Sequence, residues 1–210
     1  MLEEKKIREL SESLVRSSKA ENIDYVGISK CAEELLNLVF GDKYDIPINV
    51  EKIANELVIT LWYPDLNEFN KEQIPIYSTV QKHTNRINKE ISWALRIDKF
   101  ANFRWQGFYV AKGIAYFLLE YDNKMANMMC RNELILEVKR EELICDVFAR
   151  FLLLPVSIVI SEYIQEKQIV LKHNANADFC EHLTNKSGMP EIEVSKAWYE
   201  IQLMYMLTEK

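Results

Sequence analysis

The chain has 210 residues, with 26 Lys and Arg against 32 Asp and Glu, a formal net charge of −6. Hydrophobic residues at 49 % and charged residues at 28 % exclude long disorder and supply a core. A sequence pI near 5.3 argues against a binder of nucleic-acid backbone, which needs a basic face.

The first six residues, Met1-Leu2-Glu3-Glu4-Lys5-Lys6, are too charged for a signal peptide. The longest apolar run, Phe148 to Ile160, is broken by Arg150 and Pro155, so no membrane span is expected. Cys31, Cys130, Cys145 and Cys180 are scattered and form no CxxC pair. The expectation is a cytoplasmic protein with reduced thiols and no membrane partner.

Residues 2–19 place Leu2, Ile7, Leu10 and Leu14 at helical spacing among charges, which predicts an amphipathic helix, either a packing arm or a partner-binding element. Ser29 to Phe40 predicts a second helix capped by Ser29 and ended by Gly41-Asp42. Asn49 reads as an N-cap, with Val50, Ile53, Ala54 and Leu57 as a buried face. Val58 to Tyr63 is β-branched and aromatic, a strand stopped by Pro64-Asp65. Residues 65–90 predict a loop broken by Pro75, with a short strand over Ile76–Val80. Ile91 to Ile97 is a further strand, and Ala101 to Trp105 a loop. Two strongly apolar helices follow, Gly107 to Tyr121 and Glu141 to Leu154, the second ended by Pro155. Residues 122–140 give no clear signal. Val156 to Glu166, Ala177 to Leu183 and Ile192 to Met206 complete a mostly helical chain.

Three stretches, in this order, resemble the ImmA/IrrE family of zinc metallopeptidases. Ile48 to Ile59 resembles that family's opening helix and strand. Phe108 to Leu119 resembles the apolar approach and exit around its HExxH motif. Asp146 to Pro155, with Phe148-Ala149, Leu152-Leu153 and Pro155, resembles its next helix. The resemblance covers roughly residues 31–160. It implies an α+β, zincin-like metallopeptidase scaffold, mostly helical with a small β-sheet and helical extensions at both ends. The implied organisation is an N-terminal helical arm over 1–28, a metallopeptidase-like domain over 29–160 and a helical extension over 161–210.

In HExxH, two histidines one helical turn apart hold one Zn²⁺ and the intervening Glu takes a proton from its water. By the resemblance, the first His falls on Lys112, the Glu on Gly113, the second His on Tyr116 and the third-ligand Glu on Ile144. An ammonium, a glycine and an isoleucine offer zinc no lone pair and no base. The chain therefore reads as a degenerate member, a pseudoenzyme with no metal and no cofactor.

Lys112 in an apolar helix either pairs with a carboxylate, Glu141, Glu142 or Asp146 on the partner helix, or snorkels to solvent. Tyr116 either fills the vestigial cleft or is an ordinary core tyrosine. A relocated zinc site would have to come from His173, Cys180 and His182, whose spacing matches no usual motif; His83 is the third histidine. Arg96, Lys99 and Arg104 with Trp93, Phe100, Phe103 and Trp105 form a small basic cluster, read as a solvated rim or as a peptide or nucleic-acid surface. The leading functional expectation is a regulatory module that binds a protein, with a transcriptional repressor of a mobile element as the partner implied by the resemblance. The alternatives are an active metallopeptidase with relocated ligands, and a structural component that oligomerises through its first helix.

Overall fold

The computed structural model describes residues 1–68, 76–84, 91–122, 127–131, 139–169 and 175–208. They form an α+β fold, mostly helical, with one small sheet. The elements are α1 (Glu4–Ser18), α2 (Tyr25–Phe40), α3 (Val50–Glu56), β1 (Ile59–Trp62), β2 (Ile76–Thr84), β3 (Ile91–Ile97), α4 (Phe103–Leu119), β4 (Asn127–Arg131), α5 (Arg140–Leu153), α6 (Val156–Ile169), α7 (Ala175–Ser187) and α8 (Glu191–Thr208).

The strand order is β1-β3-β2-β4. β1 runs parallel to β3, with Ile59 opposite Trp93 and Trp62 opposite Arg96. β2 is antiparallel to both β3 and β4. Along β3, Trp93, Leu95 and Ile97 alternate onto one buried face, as a half-buried strand requires. α4 covers that face, and its residues from Phe108 to Ala115 are all buried. α5 packs along α4 with Ile144, Val147, Phe148, Phe151 and Leu152 fully buried. Each such side chain contributes about 1.5–3 kcal/mol by leaving water, which makes the α4–α5 pair the centre of the core.

α1 is part of this core. Ile7, Leu10 and Leu14 are buried, and the Ser11 hydroxyl donates to the Leu118 carbonyl at 2.6 Å. The same hydrophobic cluster continues through to Trp198, Ile201 and Met204 of α8.

Asn49 caps α3, its side chain accepting from Lys52 N–H at 2.9 Å, and Gly41 closes α2 at φ 79°, a conformation glycine adopts without steric cost. Four expected boundaries are corrected. α2 starts at Tyr25, not Ser29, because the Asp24 carboxylate accepts from Gly27 N–H at 2.8 Å and caps it; Ser29 lies inside the helix and donates to Val26 O. α4 starts at Phe103, so Ala101 to Trp105 is not all loop, because Asn102 accepts from Arg104 N–H at 3.0 Å. β2 runs on to Thr84 because Lys82, His83 and Thr84 pair with Trp93, Ser92 and Ile91 of β3. α7 extends to Ser187, where Gly188 at φ 70° ends it. Pro75 lies outside the described residues.

No single helix among the described residues is long and apolar enough to cross a membrane. α5 and α6 meet the length and composition together, but they bend by 51° at the Pro155 break.

Candidate functional site

Lys112 sits midway along α4, where both neighbouring turns are buried, and its side chain is 7 % exposed. An ammonium there is costly unless it is paired. α5 supplies the pairs. Lys112 Nζ donates to Glu142 Oε1 at 3.0 Å and forms an ion pair with Asp146 Oδ1 at 2.7 Å. Glu142 and Asp146 are one turn apart on α5, so one helix face brings both to one cation. Glu141, the third candidate, is exposed and takes no part. Burial pushes the Asp146 carboxyl above its ordinary range, while the charges of Lys112 and Arg150 pull it down.

The other positions singled out by the resemblance are equally unlike a metal centre. A side chain at Gly113 would begin 2.6 Å from both Leu95 methyl carbons, so there is no room for one where the resembled motif carries its glutamate. Ile144 is fully buried in the core, and Tyr116 is half-buried against it. Zinc needs several neutral or anionic donors about 2 Å away. Here a fixed cation stands among the carboxylates, and the residues do not fit the metal. Among the described residues, no group of three or more His, Cys, Asp or Glu is placed to hold one. His182 is occupied, its Nε2 lying 3.3 Å from Glu162 Oε2, and Glu162 also takes Lys186 at 2.6 Å. Cys180 is half-buried, His83 is exposed, and His173 lies outside the described residues.

A second buried charge cluster lies one turn further along α5. Arg150, 3 % exposed, grips Glu200 of α8 with both arms, Nε to Oε2 at 2.8 Å and Nη2 to Oε1 at 2.5 Å. Its Nη1 reaches Glu193 at 2.8 Å. Burial works against the guanidinium charge, but Glu200 and Glu193 outweigh it and raise its pKa; Glu200 is itself pushed up by burial. Glu142, Asp146 and Arg150 thus form one charged stripe at i, i+4, i+8 along α5. In the sequence alone, Arg150 reads only as a break in an apolar run.

Trp93 is buried edge-to-face on Phe117 at 5.1 Å, and the depression beside it, about 380 Å³, is shared with Ile7, Arg8 and Leu57 and not with Lys112. A cavity of about 530 Å³ lies between α6 and α8, walled by Ile160, Tyr163, Trp198 and Ile201; Lys112 does not line it. Of the basic cluster, Trp93 is buried and Trp105 and Arg104 are half-buried, whereas Lys99, Phe100 and Phe103 are exposed.

No family model, no curated protein and no solved structure matches this chain.

Proposed function

We propose that this chain is a catalytically silent regulatory module that binds a protein partner, built on a scaffold resembling ImmA/IrrE metallopeptidases, in which an ion cross-link takes the place of zinc. The observation that carries this reading is Lys112, buried between Glu142 and Asp146 at the position where the resemblance puts the first zinc ligand. A hydrolytic zinc site needs an open coordination position and a base. This one has an ammonium at its centre and a glycine packed against Leu95 in place of the base. The partner class that the resemblance implies is a transcriptional repressor of a mobile element, held without cleavage.

Elemental analysis of the untagged protein after dialysis tests the reading, together with cleavage of an unfolded protein substrate with and without chelator. The expected result is far less than one zinc per chain and no chelator-sensitive cleavage. One tightly held zinc per chain, with cleavage that the chelator abolishes, would refute the proposal.

A further inference from the structure

The loop between β3 and α4 is held more firmly than its exposure requires. Asp98 is buried and accepts from Leu66 N–H at 3.3 Å and from the Asn67 amide at 3.1 Å. The Lys99 N–H donates to Pro64 O at 2.9 Å, the Ala101 N–H to Asp98 O at 3.0 Å, and the Gln106 amide to Ala101 O at 2.9 Å. This frame presents Phe100 and Phe103 to water, 72 % and 71 % exposed. A cation accompanies each ring: Lys99 Nζ lies 4.7 Å from the Phe100 centroid, and the Arg104 guanidinium 5.9 Å from that of Phe103. At the foot of the loop is a cavity of about 260 Å³ lined by Tyr77, Ala101, Asn102, Trp105 and Tyr109. Its walls are aromatic, with Tyr77 and Tyr109 stacked at 5.4 Å and Trp105 on Tyr109 at 5.7 Å.

Core packing does not account for two exposed phenylalanines, Phe100 on this braced loop and Phe103 at the first residue of α4, and exposed apolar surface beside a pocket marks interaction sites. We infer that this surface docks a short acidic segment of a partner protein, which inserts one large apolar side chain into the Tyr77–Trp105–Tyr109 pocket and sets carboxylates against Lys99 and Arg104. The inference rests on the protein-binding reading above and adds the face and the chemistry of the partner. Charge favours this occupant. A phosphate backbone or an anionic membrane is held by many cations together. Here the chain is acidic overall, and Lys99 already shares Asp65 at 3.5 Å. Two cations beside an aromatic pocket suit one buried anchor with a charged rim.

The test is selection from a displayed library of short random peptides on the immobilised full chain, repeated with F100S/F103S and with K99E/R104E. Urea midpoints confirm that each variant is folded, and the charge reversal keeps both phenylalanines in place, so it stands should the serine pair fail to fold. The wild type is expected to enrich peptides with an aromatic or large aliphatic residue flanked by Asp or Glu. The best of these should bind F100S/F103S about tenfold or more weakly, and K99E/R104E should lose the acidic preference. Retention of the same peptides at equal strength by both variants overturns the inference while leaving a protein-binding module. Enrichment of no peptide overturns both. Phosphatidylglycerol vesicles or a uridine oligonucleotide bound at physiological salt, and released by F100S/F103S, would replace the peptide as occupant.

Discussion

Replacing Lys112 by methionine keeps an unbranched apolar stem and removes the charge. The consequence falls mainly on Asp146, whose side chain is 25 % exposed, less than Glu142 at 38 %. Breaking a fully buried ion pair costs about 3–5 kcal/mol; partial hydration of these carboxylates lowers the expectation to about 2–3 kcal/mol at neutral pH. That is a visible fraction of a typical domain stability of about 5–15 kcal/mol and appears as a lower urea midpoint at unchanged slope. The loss depends on pH, and its sign follows from linkage. Burial already holds the Asp146 carboxyl above its ordinary value of 3.8, and K112M removes the ammonium that opposes this. A carboxyl raised in the folded state contributes stability that is full below its unfolded pKa and is lost as pH rises through the folded one. K112M should therefore be most costly at neutral pH and above, and its cost should shrink on acidification. K112M/D146N should recover most of the loss at neutral pH, because no carboxylate is then stranded. A loss independent of pH, or a double variant no better than K112M, would refute the ion cross-link as the element joining α4 to α5.

R150M strands Glu200 and is expected to cost about 3–5 kcal/mol. R150M/E200M should recover most of this in urea titrations, since Glu193 keeps Lys196 at 2.7 Å. G113A adds a methyl against Leu95, an overpacking cost of about 1–3 kcal/mol offset by about 1 kcal/mol of helix propensity. In an L95A background the same change should be neutral or stabilising, and a double-mutant cycle reads the coupling. The Glu162 carboxyl is held below its ordinary value of 4.5, first by the hydrogen bond from Lys186. Its contribution is present above that value and lost as pH falls through the lowered one. K186M should therefore unfold at the wild-type temperature in strong acid and below it at neutral pH, as followed by circular dichroism.

Local rules made much of this molecule legible in the sequence. The Asn49 cap, the stop at Pro155 and the apolar faces of α4 and α5 depend on neighbours within a turn or two. So does the alternation of β3. Lys112 stood out because a cation in an apolar helix must find a partner. Its choice between Glu141, Glu142 and Asp146 was also open to helical phase, since positions 142 and 146 share a face and 141 is turned about 100° away. The same stripe reaches Arg150, but its partners lie 43 and 50 residues downstream, and no local rule points to them. The start of α4 was missed because aromatic residues and Gly107 in its first turns resemble a loop, although Asn102 offered a cap. The pocket at Trp105 escaped because it joins β2 to α4 and exists only after the sheet has formed.

The Arg150 cluster also bears on how the chain is made. Synthesis proceeds from the N-terminus, and folding begins on what has emerged. α4 and α5 leave the ribosome with Arg150 already among apolar residues, while Glu193 and Glu200 are still unmade. Closing that core early would bury an uncompensated guanidinium. Until α8 is made, packing α5 closed would leave that guanidinium without Glu193 and Glu200, so the cluster ties the setting of α5 to the arrival of α8.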